Sequence, residues 1–328
     1  MLSVIIFPVF YQDGDEMPRK IICIGQTCVD VTTDAGRVTG AFAPEGARIN
    51  VPAIRLSLGG DATNVAIALR KLGCPAQLIS RVGDDVVGEC LLTALRHYGI
   101  DTSQTLRGPQ PKAATQIFRF EDRARTLFID ARDYAPYEIP LNSVCPGDIV
   151  ALCSLLQEPL RDSAQVRRAA SEAKARGAIV CADAYTVRDQ FDFSVYRDAF
   201  AYFDYFFPND EEAMCYTRAA SPEDACRVLL SWGVKNVVMK LGKDGCMLYS
   251  AQGSFRQPAF PVAHVVDTTG CGDHFIAGFL SALLEEFSPQ ECCRRASAAA
   301  AICTQFMGAS TSALSRSAVE QLLGISKS

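Results

Sequence analysis

The chain has 328 residues, and its 49% hydrophobic content suffices for either two average domains or one large α/β domain. Its net charge of -5 provides no basic surface for nucleic acid, and no apolar run approaches the roughly 18 residues needed to cross a membrane. The fourteen cysteines include no C-x-x-C pair and have no histidines at zinc spacing, so we expect reduced thiols in a cytoplasmic protein.

The first sixteen residues differ in character from the rest of the chain. They begin with an apolar run, continue with three acidic residues, and lack the positive region and the cleavage site of a signal peptide. We interpret residues 1–16 as a disordered extension and place the folded domain at residues 17–328.

Hydrophobic periodicity predicts strands that alternate with helices along most of the chain. After a strand at 20–25, the regions 31–58 and 112–130 lack a helical period, and we predict that together they form a small β-sheet outside the main body. The other predicted strands are 76–82, 148–153, 178–182, 202–207, 235–241 and 246–250. The predicted helices end at Gly73 and His97, span 160–176 and 276–286, and close the chain near 289–307 and 315–323. This order favours a mostly parallel sheet with helices on both faces.

Polar motifs follow several of these strands, so they are expected to meet at one edge of the sheet. Asp30 comes just after the first strand, where it either binds a ligand or holds a turn. The convergence of such motifs predicts a single active-site cleft. No G-x-G-x-x-G follows the first strand and no P-loop occurs, which argues against the two commonest nucleotide-binding motifs.

The most informative stretch reads Asp-Thr-Thr-Gly-Cys-Gly-Asp-His-Phe over residues 267–275 and leads into a helix. Its two glycines permit a tight turn, and the first amides of a helix attract anions. Asp273 beside such a site makes sense if it removes a proton from a second substrate. Alternatively, Asp267 or Thr269 caps the helix and Asp273 lies where acids are favoured. His274 is expected to pack or to contact a helix surface.

Two further motifs begin helices. Gly59-Gly60-Asp61 opens a helix that also carries Asn64, with simple capping as the alternative role for Asp61. Asn209-Asp-Glu-Glu212 follows a predicted strand, and its alternative role is a helix start after Pro208.

Together these motifs resemble those of the ribokinase-like (PfkB) family of carbohydrate kinases. Residues 267–273 are similar to that family's C-terminal signature, with Cys271 where alanine is usual, and residues 58–66 are similar to its N-terminal signature. Residues 209–212 resemble its N-x-x-E magnesium motif, and residues 240–245 its nucleotide-binding G-x-x-G strand end. Residues 183–188 only loosely resemble the D-x-N-x-R stretch of fructokinase-like members, which leaves Arg188 without a role. The resemblance covers roughly residues 18–326 and implies a three-layer α/β/α fold with a small β-sheet lid.

The resemblance also implies an ATP-dependent sugar kinase and its ligands. Asp273 would be the base, and the turn of Gly270, Cys271 and Gly272 would hold the phosphates. The implied sugar-binding residues are Asp30, Gly59, Gly60, Asp61 and Asn64, and the implied ATP-binding residues are Lys240, Gly242, Gly245 and Thr268. Asn209 and Glu212 would hold Mg²⁺ through water. A monovalent cation such as K⁺ would be held by Asp267, Thr269, Phe306, Gly308 and Ser312.

The substrate is expected to be a neutral ketose or aldose, because Asp30 and Asp61 would repel an acidic or phosphorylated sugar. A nucleoside kinase and a ketodeoxygluconate-type kinase, with Arg132 or a lid arginine as the carboxylate partner, remain alternatives. From a different class, a sugar-binding regulator without turnover is also considered. The exposed edges of a small sheet suggest a homodimer formed through the lid.

Overall fold

The computed structural model describes residues 18–36, 50–109, 114–120, 125–129, 137–185 and 192–325. The strands are β1 (Ile21–Ile24), β2 (Cys28–Gly36), β3 (Ala53–Gly59), β4 (Ala76–Ile79), β5 (Arg81–Gly83), β6 (Leu106–Gly108), β7 (Ala114–Phe120), β8 (Arg125–Ile129), β9 (Ile149–Leu155), β10 (Ile179–Ala184), β11 (Tyr205–Phe206), β12 (Asn236–Lys240), β13 (Cys246–Ser250) and β14 (Gly253–Gln257). The helices are α1 (Asp61–Lys71), α2 (Val86–His97), α3 (Ser163–Ala175), α4 (Arg197–Phe200), α5 (Asp210–Thr217), α6 (Pro222–Ser231), α7 (Cys271–Leu284), α8 (Pro289–Cys303) and α9 (Arg316–Leu322). The predicted extension at 1–16, Arg132 and Arg188 lie outside the described residues.

An eight-stranded sheet forms the centre of the molecule, in the order β14-β13-β12-β11-β10-β9-β1-β4. The strands from β12 to β4 pair in parallel, and β13 and β14 add two antiparallel strands at one edge. Strand β1, of sequence Ile-Ile-Cys-Ile, is fully buried, as expected for a parallel strand covered on both faces. The mostly parallel central sheet is therefore confirmed.

Alternate residues of the sheet face two different hydrophobic layers. Ile21 and Cys23 pack in one layer with α1, α7, α8 and α9. Ile22 and Ile24 pack in the other layer with α3, α4, α5 and α6. Because successive strand residues point to opposite faces, one short strand contributes to both layers. The three-layer α/β/α arrangement is confirmed.

The two regions without a helical period form one small sheet, in the order β3-β2-β7-β8. Its outer pairs are antiparallel, whereas β2 and β7 pair in parallel. Asp30 lies within β2, opposite Ser57, so the alternative that it holds a turn is wrong. Three residues separate the end of β1 at Ile24 from the start of β2 at Cys28, so that the lid starts close to the carboxyl end of β1.

Several boundaries differ from the predicted ones. The strand expected at 76–82 divides into β4 in the central sheet and β5, which pairs with β6 in a separate two-stranded sheet. Helix α3 begins later than predicted, where the Asp162 side chain accepts a hydrogen bond from the Ala164 amide. Helix α6 and strand β14 were not predicted. None of the described helices is both long and apolar enough to cross a membrane.

Candidate active site

The turn before α7 requires glycine at Gly270. This residue has a φ of 76°, in the left-handed region, and a Cβ built on it would lie 2.3 Å from the Cβ of Ala309. Gly270 itself occupies the cap position of α7, without a side-chain capping bond. The suggestion that Asp267 or Thr269 caps α7 is therefore wrong. The Cys271 amide donates to the Thr268 carbonyl at 3.2 Å, so that it closes the turn.

A second glycine turn, between β3 and α1, packs against β2. A Cβ on Gly59 would lie 2.4 Å from a carboxylate oxygen of Asp30, and a Cβ on Gly60 would lie 2.5 Å from the Gln26 carbonyl oxygen. Any side chain at these positions would therefore collide with Asp30 or with the backbone. This glycine turn leads directly into α1, which carries Asp61 and Asn64 near its start.

The two glycine turns meet through one hydrogen bond. The Asn64 side-chain amide donates to Oδ2 of Asp273 at 2.8 Å, although the two residues are 209 positions apart. Both residues are buried, at 7% and 8% exposure. Helices α1 and α7 pack side by side, and this contact brings the predicted substrate residues to the predicted base.

Carboxylates crowd around this contact and raise one another's pKa. Burial raises the pKa of Asp273 well above its ordinary value, and the nearby charge of Asp61 raises it further. Burial also raises the pKa of Asp61 from 3.8 to about 6, and the pKa of Asp30 to about 6. The Ser154 hydroxyl donates a hydrogen bond to Asp61. A group of acids with raised pKa values is typical of sites that transfer protons.

Lys240 supplies a positive charge to this group. Its ammonium lies 2.9 Å from Oδ1 of Asp183, and it would lie 3.7 Å from a Cβ built on Gly272. Burial lowers the pKa of Lys240, but Asp183 and Glu212 outweigh burial and raise it to about 12. Lys240 therefore stays charged beside the glycine turn of α7. Its charge lowers the pKa of both Asp61 and Asp273.

One cleft of about 360 Å³ brings together every residue predicted to bind ATP. Its lining includes Lys240, Gly242, Gly245 and Thr268, together with Cys271 and Gly272 of the turn. Its apolar wall contains Ala259, Phe260, Val262, Val265, Phe275, Ala300 and Ala301. The cleft thus offers a polar end at the glycine turn and an apolar end, which suits the phosphates and the base of a nucleotide.

A second cleft, of about 410 Å³, lies between the lid and the loops around α7. Asp30, Thr32 and Arg55 of the lid line it, and Thr269 lies on its other side. It shares Val265 and Thr268 with the first cleft, so the two clefts meet beside the turn. Two ligands could therefore lie with their ends close together.

Asn209 and Glu212 form a capping box at the start of α5. The Asn209 side chain accepts from the Glu212 amide at 2.7 Å, and the Glu212 carboxylate accepts from the Asn209 amide at 2.8 Å. The alternative role as a helix start is thus realised. Glu212 is nevertheless close enough to the acids to raise the pKa of Asp61. A carboxylate has further lone pairs, so this pair fits a hydrated Mg²⁺ nearby.

Three of the five residues predicted to hold a monovalent cation are in direct contact. The Asp267 carboxylate accepts from the backbone and hydroxyl of Thr269, at 3.0 and 2.8 Å, and from the Gly308 amide at 2.9 Å. Phe306 packs against the core, and the Ser312 hydroxyl contacts the ring of His274. The carboxylate, hydroxyl and loop carbonyls of this region are hard oxygen donors, which fit an alkali cation.

Sequence reasoning missed two contributors to the site. Ser154 lies at the end of β9 and has no motif around it. Asp183 directly follows the predicted strand at 178–182, and its pairing with Lys240 and its effect on the pKa of Asp273 show that it belongs to the site. The position of both residues at the carboxyl ends of neighbouring parallel strands was the available signal.

A family model described as "pfkB family carbohydrate kinase" matches residues 18–316. The chain belongs to this family. The predicted resemblance is therefore confirmed, and the chain is a kinase whose acceptor is an alcohol group.

The relatives of this chain include kinases named for a sugar and for a sugar-derived acid. A ribokinase of Arabidopsis thaliana is 27% identical over 327 residues, which cover 95% of this chain and 83% of the relative. A 5-dehydro-2-deoxygluconokinase of Geobacillus kaustophilus is 26% identical, with 89% and 90% covered. The solved structure of an Arabidopsis thaliana ribokinase with ribose and ATP has a TM-score of 0.81, at 26% identity, over 94% of this chain and all of that chain.

Proposed function

We propose that this kinase transfers the γ-phosphate of ATP to a hydroxyl group of a neutral monosaccharide. The main support for this proposal is the hydrogen bond between Asn64 and Asp273. It connects the polar groups proposed to bind the sugar with the buried carboxylate proposed as the base. The related plant ribokinase, whose structure holds ribose and ATP, supports the same pair of substrates.

Asp273 acts as the base in this proposal. The sugar hydroxyl gives its proton to the Asp273 carboxylate while its oxygen attacks the γ-phosphorus, and the bond to the bridging oxygen breaks to release ADP. The turn of Gly270, Cys271 and Gly272 faces the charge that develops on the phosphoryl oxygens. The Cys271 amide must then share its proton between the Thr268 carbonyl and a phosphate oxygen, which its long bond permits.

The nucleotide occupies the first cleft, with its phosphates toward Lys240, Thr268 and the turn. Gly242 and Gly245 let the strand end approach the nucleotide closely. Asn209 and Glu212 would hold Mg²⁺ through water, and the ion would neutralise part of the charge on the phosphates. Lys240 leaves Asp183 in part, so that its ammonium approaches the transferred phosphoryl group.

The sugar lies beside Asp30, Gly59, Gly60, Asp61 and Asn64. Oδ1 of Asn64 is buried and has no hydrogen-bond partner within the described part of the chain, so it offers an acceptor to a sugar hydroxyl. Asp30 and Asp61 accept from further hydroxyls and disfavour anionic sugars. A sugar acid is the second candidate, because Arg55 lines the second cleft together with Asp30, although Arg55 also pairs with Asp34.

A monovalent cation such as K⁺ would support the turn in this proposal. Its ligands would come from Asp267, Thr269, Phe306, Gly308 and Ser312. Since three of these residues already hold one another, a cation there would stiffen the turn that faces the phosphates.

A coupled ADP-release assay tests the function directly. Wild-type protein with Mg-ATP and K⁺ is given neutral ketoses, neutral aldoses, sugar acids, sugar phosphates and nucleosides. We expect ADP release with a neutral sugar, and a loss of roughly 10² to 10⁴-fold in kcat for Asp273→Asn, with ATP binding retained. A strict preference for sugar acids or nucleosides contradicts the neutral substrate. Full activity of Asp273→Asn removes Asp273 from the mechanism.

A further inference from the structure

A buried histidine lies next to the proposed base. It connects the turn of Gly270, Cys271 and Gly272, called the phosphate turn below, to the rest of the site. His274 is 1% exposed and lies in the first turn of α7. Its Nδ1 is 2.9 Å from the Gly270 carbonyl oxygen, and its Nε2 is 2.6 Å from the Ser312 hydroxyl oxygen. Both partners belong to segments that surround the phosphate turn.

These two partners fix the tautomer of the ring. A carbonyl oxygen only accepts hydrogen bonds, so Nδ1 carries the proton and donates it to Gly270. In the neutral ring Nε2 is then the acceptor, and the Ser312 hydroxyl donates to it. The ring thus has one orientation in which both of its nitrogens are satisfied.

The Gly270 carbonyl is a sensitive point in the turn. It belongs to the planar peptide unit between Gly270 and Cys271, where α7 begins. The same carbonyl accepts the His274 amide at 2.9 Å, so backbone and side chain of one residue hold it together. A fixed peptide plane fixes the direction of the next amides along the chain. It also fixes the position of Asp273, which is two residues after Cys271.

The loop at residues 310–312, which contacts His274, is also bound to α1, the helix proposed to bind the sugar. Lys71, in the last turn of α1, donates to the carbonyl oxygens of Ser310 and Ser312 at 2.6 and 2.7 Å. Helix α1 also carries Asn64, which reaches Asp273. A closed path of contacts therefore runs from α1 through the 310–312 loop and His274 to Gly270, and from Asp273 back to α1.

We propose that His274 is a positioning residue for phosphoryl transfer, which holds the phosphate turn and Asp273 in register with the sugar-binding helix. It touches neither substrate. This inference rests on the proposed function, and it assigns to His274 a role beyond packing. The loss of the ring would leave the turn free to rotate by small amounts, and misplacements of about 1 Å can cost roughly 10²-fold in rate.

Conservative variants separate the two contacts of the ring. His274→Asn places an amide N–H near the position of Nδ1 and keeps the hydrogen bond to the Gly270 carbonyl. His274→Gln instead reaches toward Ser312 and loses the hydrogen bond to Gly270. We expect His274→Ala and His274→Gln to lower kcat roughly tenfold to a hundredfold, and His274→Asn to restore most of it. The KM for the sugar should change little in all three variants.

Calorimetric titration supplies a readout that needs no sugar. Because the turn faces the terminal phosphate, His274→Ala should weaken the binding of Mg-ATP several-fold and leave the binding of Mg-ADP unchanged. Ser281→Ala is the matched control, since Ser281 is a buried polar residue on the same helix that contacts Cys74, far from the turn. It should lower the melting temperature without altering kcat or nucleotide binding.

The two proposals fail in different ways. If wild-type protein releases no ADP with any acceptor, the proposed function fails, and the titrations still decide the role of His274. If His274→Ala keeps wild-type kcat and ATP binding and only melts earlier, like Ser281→Ala, then His274 is a packing residue and the inference is overturned. Equal weakening of ATP and ADP binding overturns it as well.

Discussion

At the scale of single residues, the charge of Lys240 is one of the factors that set the pH at which Asp273 takes up a proton. Burial and Asp61 raise the pKa of Asp273, whereas Lys240 lowers it. A base works only when it is deprotonated, so the rate falls as the pH drops through this pKa. Removal of the lysine charge must raise the pKa and move the acid limb of the profile to higher pH.

We therefore expect Lys240→Met to shift the acid limb of the kcat/KM profile to higher pH, and Lys240→Arg to keep it near that of the wild type. Steady-state rates measured from pH 5 to 9 would reveal the shift. Lys243→Met is the control, because Lys243 lines the same cleft but is exposed. An unshifted limb in Lys240→Met would mean that Lys240 does not control this proton.

A comparison of Gly270 with Gly73 separates two effects of replacing a glycine. One is the strain of a left-handed backbone, and the other is the collision of a new Cβ with its neighbours. Gly270 and Gly73 have φ values of 76° and 83°, but a Cβ would strike Ala309 only at Gly270, since nothing lies within 4 Å at Gly73. Gly73→Ala should cost about 1 kcal/mol of unfolding free energy and leave activity intact. Gly270→Ala should cost clearly more and abolish most activity. Denaturant titrations with kinetics test this, and equal costs would disprove the collision.

At the scale of elements, the start of α5 combines a structural and a proposed catalytic task. Asn209 caps the helix, and serine caps about as well as asparagine. Asn209→Ser should therefore keep the melting temperature but raise the KM for Mg-ATP, because the shorter side chain cannot reach a water on Mg²⁺. Ser221→Ala, which removes the cap of α6, should do the opposite. A wild-type KM in Asn209→Ser would leave Asn209 with the cap alone.

The elements also show what sequence patterns can and cannot provide. The hydrophobic pattern predicted α1, α7 and the parallel sheet, because these elements carry buried apolar residues over most of their length. It missed α6, although Ser221 and Pro222 form a cap and a first-turn proline that mark a helix start. It joined β4 and β5 into one strand, because only Ser80 separates them in the sequence and only their pairing with different strands distinguishes them.

At the scale of the whole molecule, the site depends on contacts that no local pattern contains. Motifs identified Asp273 and Asn64 separately, but their hydrogen bond requires α1 and α7 to pack side by side. The pairing of Lys240 with Asp183 likewise joins the ends of two strands, β12 and β10. The edge of a parallel sheet collects such residues, which explains why the approximate location was predictable while the partners were not.

The lid has an exposed apolar surface. Its outer strands expose Ile54 and Leu56 on β3, at 64% and 73%, and Phe128 on β8, at 44%. Large apolar side chains this exposed on a small sheet favour pairing with a second copy. Sedimentation should therefore find a dimer for the wild type and a monomer for the Ile54→Lys, Leu56→Lys double variant. Val86→Lys, on α2 and 79% exposed, is the control that should stay dimeric. A wild type that sediments as a monomer at micromolar concentration would rule out a homodimer through the lid.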